Sequence, residues 1–321
     1  EMGLLCDTQA DGRVYPYCYQ ASMVLDVLRA ALERAGVDVA CSCEVAEVAK
    51  GPGGFSVRTR DGRAFSAARV VLAAGGQAGP QFGTDGSAFA LARMLGHSVA
   101  EPYPCLVPLR CAGFPVGLKG VRANCALSLY LDGRCAGTER GEVQFAEYGL
   151  SGIPAMQLSC LLGPGVKKAG TSVDFFPEMA FPVLRGMLEQ RCASGMFASL
   201  ETLLLGLVAK KLGHAILKSC GLQPLSRAPG SLSRREVNAL AGALKNWRFA
   251  VEGTLPWTQA QVTGGGVPLA EVKTEGCASL RCPGLYLSGE VLDAAGDCGG
   301  FNLQWAWATG IAAGRAAARG L

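Results

Sequence analysis

The chain has 321 residues, half of them hydrophobic and 17% charged, with a mean hydropathy of +0.25. This length calls for two or three compact units, and the composition excludes a disordered chain. The net charge of +4 is small and its Lys and Arg are scattered, so the sequence carries neither a nucleic-acid footprint nor a polybasic membrane patch.

Residues 23–35, MVLDVLRAALERA, place Met23, Val27, Ala30, Ala31 and Arg34 near one another at helical spacing, with Val24, Leu28 and Leu32 widening the apolar face before Gly36 stops the helix. VDVACSCEVAEV alternates as a strand, which would set Cys41 and Cys43 on one face. FSVRTRDGRAFSAARVVLAAGG reads as a hairpin turning at Asp61 and Gly62, followed by a buried strand from Val70 to Ala73 and the pair Gly75 and Gly76. A helix follows in TDGSAFALARMLGHS, with Thr84 or Asp85 as its N-cap and Gly96 at its end.

From about Cys105 short strands take over, with a hairpin in NCALSLYLDGRCAG turning at Asp132 and Gly133. The uncharged run from Tyr148 to Val166 has the length of a membrane span. Gly149, Gly152, Pro154, Gly163 and Pro164 interrupt it, so it reads as a loop and a short buried helix, and no membrane partner is expected. Three helices are expected in residues 181–246, the last opened by Ser233 and Glu236 in capping-box register. RFAVEG is then a return strand and PGLYLSGE a buried one. The α/β pattern resumes at the C-terminus, so residues from about 105 to 258 interrupt one discontinuous unit.

The 14 cysteines show no paired C-x-x-C spacing and read as reduced, cytoplasmic thiols. The two histidines, His97 and His214, are far apart in sequence, and no metal site is expected. GLSG lacks the spacing of a nucleophile elbow, and no catalytic constellation of the hydrolase kind stands out.

Chemistry concentrates in glycine turns. In GEVLDAAGDCGGFNLQWAWATG a strand-terminal Gly289 and Glu290 lead through Asp293 and Asp297 to Gly299 and Gly300, and a helix starts at about Asn302. Adjacent glycines let backbone approach a flat or phosphorylated ligand, and a helix N-terminus stabilises negative charge there. VVLAAGGQAG and QVTGGGVPLAEV supply two further glycine clusters at strand ends. Three such turns point to one extended ligand; the plainer alternative is three tight turns, a solvated Glu290 and core Trp305 and Trp307.

GEVLDAAGDCGGFNLQWAWATGIAAG, AQVTGGGVPLAEV, GRVYP, VLAAGG, FAEYGLSGIPAMQLS and LSRREVNALAGALKNW together resemble the BaiN/YhiN-like family of bacterial NAD(P)/FAD-dependent oxidoreductases, over nearly the whole chain. The resemblance implies an α/β, Rossmann-like FAD domain of the two-dinucleotide-binding type, here residues 1–104 and 259–321. It also implies a β-barrel-like insertion, 105–180 with 247–258, and a helical one, 181–246. By the same resemblance, Gly289 and Glu290 meet the ribityl and pyrophosphate region of FAD, while Gly300, Phe301, Asn302 and Leu303 lie at the isoalloxazine. Val45 meets the adenine through its backbone, and Ala74 and Gly75 lie near the ADP half. Gly76, Gly265, Gly266 and Gly299 complete the expected cofactor-binding set.

No G-x-G-x-x-G occurs, and the opening EMGLLCDTQADGRVYP resembles a point well inside the family sequence, implying that the first βαβ segment is missing. Ala146 and Glu147 stand where the family usually has Thr-His, leaving Tyr148 as the nearest proton-transfer candidate and no assigned catalytic residue. Arg13 is a candidate contact to cofactor or substrate. The implied activity is hydride transfer through FAD between NAD(P)H and a small organic acceptor, such as an unsaturated oxo bile acid or steroid-like compound. The alternatives are a truncated, non-catalytic nucleotide-binding fragment and, less favoured by the scattered charge, a flavin-dependent RNA-modifying enzyme.

Overall fold

The structure, a computed structural model, describes residues 2–320. Strands β1 (Cys6–Thr8) and β2 (Val14–Pro16) pair antiparallel and lead into helix α1 (Ala21–Arg34). The helix forms where the periodicity places it, yet none of its residues is buried. Three strands follow as one sheet: β3 (Val45–Gly51), β4 (Gly54–Thr59) and β5 (Ala64–Ala67), the last two joined through the expected Asp61–Gly62 turn. The strand expected from Val37 begins only at Val45. Ser42 takes a φ of +49°, which breaks the extended path between Cys41 and Cys43, and residues 37–44 find no partner strand to satisfy their backbone. Strand β6 (Val70–Leu72) ends at the first glycine turn. Helix α2 (Ser87–Met94) has Gly86, at φ +81°, as its N-cap in place of the expected Thr84 or Asp85, although Asp85 Oδ1 still accepts the Ser87 N–H at 2.9 Å; β7 (Ala100–Cys105) follows.

Strands β8 (Leu109–Cys111), β9 (Val121–Leu131), β10 (Arg134–Ala146) and β11 (Gly149–Ser151) come next, then helix α3 (Ile153–Ser159) and strand β12 (Ala169–Asp174). Helices α4 (Phe181–Ala193), α5 (Leu200–Leu203), α6 (Lys210–Ser219) and α7 (Arg234–Lys245) precede β13 (Trp247–Thr254). The six strands close into a barrel in the order β10-β11-β8-β13-β12-β9, so no edge is left open. Inside, Phe145 stacks with Phe114 and Phe175, and Trp247 meets Phe249 edge-on at 4.7 Å. That cluster runs on through Leu184, Leu188, Leu212, Ile216 and Leu240, which fasten the helices to the barrel.

The second of the three helices expected in residues 181–246, the one across ASLETLLLGLVAKKLGHAILKSC, is two, α5 and α6, broken where the chain turns at Gly206. The capping box of α7 is formed: Ser233 Oγ accepts the Glu236 N–H, and Glu236 Oε2 accepts the Ser233 N–H at 2.8 Å.

Strand β14 (Val262–Gly266) returns antiparallel to β7, and β15 (Leu285–Leu287) lies parallel to β6. Helix α8 (Phe301–Arg319) closes the chain, packed on β15 and β6, with Leu303, Trp307 and Ile311 exposed along one stripe. Parallel pairing of β6 with β15 carries the glycine turns after both strands to the same end of the fold. Among the described residues no helix is long and apolar enough to cross a membrane.

Candidate functional site

Three turns that are far apart in sequence meet at one threonine and one glutamate. Thr263 Oγ1, at the head of the 263–266 cluster, accepts the backbone N–H of Gln77 at 2.8 Å and of Ala78 at 3.0 Å. Glu290 Oε1 accepts the Thr263 N–H at 3.0 Å. Gly76 is buried beneath this pair: a Cβ there would come within 2.5 Å of Glu290 Oε1 and 2.8 Å of Thr263 Cβ. Its missing side chain therefore makes room for protein rather than for a ligand. Thr84 Oγ1 donates to the Gly76 carbonyl at 2.6 Å, holding the first turn in shape.

The third turn is fixed from α8. Gly289 N–H donates to Thr309 Oγ1 at 2.9 Å, and Trp305 Nε1 donates to the Gly289 carbonyl at 3.1 Å. Asn302 uses its amide on the preceding loop, accepting the Gly296 N–H at 2.8 Å and donating to the Gly296 carbonyl at 2.9 Å. Gly300 sits at the head of α8 with φ +96°, a conformation that L side chains rarely adopt, and nothing crowds it. No side chain caps α8, so its first N–H groups have no partner from a capping side chain.

These groups border a cavity of about 280 Å³ lined by Leu106, Val262, Glu290, Gly300, Asn302 and Trp305, among others. Gly299 and Leu303 also line it, and Arg13 reaches the Gly299 side, its Cδ 3.9 Å from where a Gly299 Cβ would stand, while its guanidinium pairs with Asp11. Burial raises the Glu290 carboxyl above its ordinary value, against the opposing effect of the Thr263 contact. Among the other sequence candidates, Val45 opens β3, while Ala74 and Gly75 follow β6 outside the cavity lining. Gly265 and Gly266 press against the backbone of Glu101 and Val291, and Phe301 projects into solvent.

A second cavity, of about 600 Å³, lies where the barrel meets the glycine turns. Thr138, Glu139 and Gln157 line it from the barrel side, and Gly264, Asp293 and Asp297 from the other. Asp297 borders both cavities. Tyr103 also lines the larger one and donates to the Cys160 carbonyl at 3.2 Å, with burial pushing its hydroxyl up to about 12.

Sequence reading missed Thr263, Thr309 and the clamp around His97. A Thr directly before three glycines is a visible signal for the first; the partners of the others are joined only by folding. His97 Nδ1 lies 2.7 Å from Glu271 Oε2, and its Nε2 lies 2.7 Å from Ser279 Oγ. This has the connectivity of a Ser-His-Glu triad, but Ser279 Oγ already accepts the Arg281 and Cys282 N–H groups at 3.0 and 2.8 Å. All three side chains are buried and none lines either of these cavities, so the assembly is a structural clamp. Among the described residues no cluster of His, Cys, Asp or Glu is arranged to hold a metal.

A family model described as the HI0933-like protein Rossmann domain matches residues 1–316. The 3-dehydro-bile acid delta(4,6)-reductase of Clostridium scindens is 37% identical over 312 residues, covering 96% of this chain and 76% of that protein. The ribosomal RNA dihydrouridine synthases of Escherichia coli and Haemophilus influenzae are 28% and 25% identical, covering 90% and 91% of this chain and 70% and 71% of theirs. The chain belongs to the HI0933-like family of Rossmann-domain proteins.

Proposed function

We propose that this member of the HI0933-like family is an FAD-dependent reductase that takes electrons from NAD(P)H and adds hydride to a carbon–carbon double bond conjugated with a carbonyl, in a steroid-like acceptor such as an unsaturated oxo bile acid. Its membership and its reductase relative make it an oxidoreductase with a flavin or nucleotide cofactor. The finer reading draws support from one arrangement above all: the uncapped N-terminus of α8 and Glu290 bordering one cavity. That cavity suits a flavin head and is too small for a whole dinucleotide. When bound, flavin supplies the hydride chemistry.

The chain's own groups then have definite tasks. The free N–H groups at the head of α8 stabilise negative charge on the cofactor ring. Glu290, braced by Thr263, offers its second carboxyl oxygen to a cofactor hydroxyl, and Gly299 and Gly300 allow close backbone approach. The larger cavity takes the oxo-ring end of the acceptor. The 14 free cysteines suit a cytoplasmic setting.

RNA modification is the second reading, favoured by the two ribosomal RNA relatives. Glu139, Asp293 and Asp297 line the larger cavity with no Lys, Arg or His beside them, which opposes the approach of a phosphate backbone. The test is to load the protein with FAD, reduce it anaerobically with NADH or NADPH, and mix it with a 3-oxo-4,6-diene bile acid or with uridine-containing RNA. Rapid return of the oxidised flavin spectrum with the bile acid, and a product heavier by two hydrogens, is expected. Reoxidation only by RNA would replace the first reading with the second, and failure to retain FAD would remove both.

A further inference from the structure

Between the two cavities lies a thiol cluster that hydride chemistry does not use. Cys105, the last residue of β7, is fully buried, and Tyr103, Met156, Cys160 and Cys298 pack around it. Cys160, just after α3, is half-buried and lines the larger cavity. Cys160 packs against the cluster that holds Cys105, and its Sγ–H donates to the Met156 carbonyl at 3.8 Å. Cys160 Sγ also accepts the Leu106 N–H at 3.4 Å, and Val107 N–H donates to Ser159 Oγ at 3.1 Å, so the β7 end and the α3 end are already held side by side. Gly264 leaves the space that the Cys105 sulfur occupies, 2.6 Å from where its Cβ would stand. The neighbouring Cys105 and the Leu106 N–H lower Cys160 from the ordinary thiol value, while the neighbouring Cys160 and burial raise Cys105.

We propose that Cys160 and Cys105 are a reversible disulfide-forming pair that reacts with low-molecular-weight disulfides entering through the larger cavity, Cys160 as the attacking sulfur and Cys105 as the resolving one. The Cys160 thiolate attacks one sulfur of the small disulfide, forming a mixed disulfide and expelling one thiolate. Cys105 then attacks the Cys160 sulfur, releasing the second thiolate, which carries away the Cys105 proton. Two protein thiols are oxidised and one small disulfide is reduced to two thiols. The product staples the end of β7, on the glycine-turn side, to the end of α3, on the barrel side, beside the wall of the larger cavity.

The experiment is incubation of the folded protein with oxidised glutathione, alkylation of remaining thiols, and peptide mass mapping without reductant. The expected result is a peptide linked through Cys105 and Cys160, with Cys160 reacting about fivefold faster than the exposed Cys135 because its thiolate fraction outweighs its lower exposure. Cys105→Ser is expected to stop at a glutathione adduct on Cys160, and Cys160→Ser to leave Cys105 a free thiol. The proposal is overturned if wild type carries the adduct on Cys160 with Cys105 still free, if Cys160 links to Cys298, or if Cys160 reacts no faster than Cys135. Because the map of the wild-type protein decides each case, a variant that fails to fold does not spare it.

Discussion

Around the barrel, one continuous buried cluster reaches from Leu109 and Phe145 through to Leu188 and Leu240 in the helices, and all six strands are paired on both sides. On the glycine-turn side the core is split among smaller clusters, the strands pair only in twos and threes, and α1 buries nothing. The difference shows what each part is for. A closed barrel makes its own rigidity from apolar packing, whereas the other side is held at its glycine turns by individual hydrogen bonds involving Thr263, Glu290, Thr309 and Trp305. Stability therefore resides mainly in the barrel and its helices, and the candidate site is built on the part with less packing to spare.

Four substitutions would break or sharpen that contrast. Phe145→Ala removes a fully buried ring from the barrel centre and is expected to cost about 4 kcal/mol, read from urea denaturation. A loss below about 1 kcal/mol would mean that the barrel is not the stable half.

His97→Ala removes one partner each from Glu271, which keeps Ser98, and from Ser279, which keeps two backbone N–H groups, and leaves a buried void, so it is expected to cost about 3 kcal/mol. Ser98, then His97, holds the Glu271 carboxyl down to about 2, outweighing the upward push of burial. A lowered carboxylate value means stability that is present above about 4.5 and lost as pH falls towards about 2. Melting temperature followed between those limits should drop in wild type and drop less in His97→Ala. Equal slopes would remove the clamp as the source.

Gly76→Val drives a side chain into Thr263 and Glu290, and about 2 kcal/mol is expected to be lost by overpacking. Flavin retention, followed by visible absorption, should fall with it while the far-ultraviolet dichroism of the barrel and helices is kept. Retained flavin would show that the Gly76–Thr263–Glu290 junction is not needed by the site. The smallest effect is expected from Leu303→Gln on the exposed stripe of α8, within about 0.5 kcal/mol, because that side chain is 67% exposed and leaves little packing to lose.

Much of the fold was legible because it rests on local rules. The Asp61–Gly62 and Asp132–Gly133 turns, the capping box at Ser233 and Glu236, and the short helix after Tyr148 each follow from residues within a few positions of one another. Local rules failed where a partner decided: Val37 to Glu44 alternates like a strand but has no strand to pair with, and the run before Lys210 has helical composition but turns at Gly206.

The glycine turns themselves were visible as letters, and the resemblance they carried named the family to which the chain belongs. What letters could not give was their division of labour. Gly76 turns out to seat protein side chains, Asn302 to brace a loop, and Gly300 to open on free N–H groups, because parallel pairing of β6 with β15 brings distant turns together. The sequence by itself determined where the chain turns, which faces are apolar and where backbone is bare, all properties of neighbouring residues. Only the tertiary structure decided that Thr263 and Glu290 share one junction, that His97 closes a clamp and that Cys105 meets Cys160, since each contact joins residues dozens to hundreds of positions apart or depends on how two such segments pack.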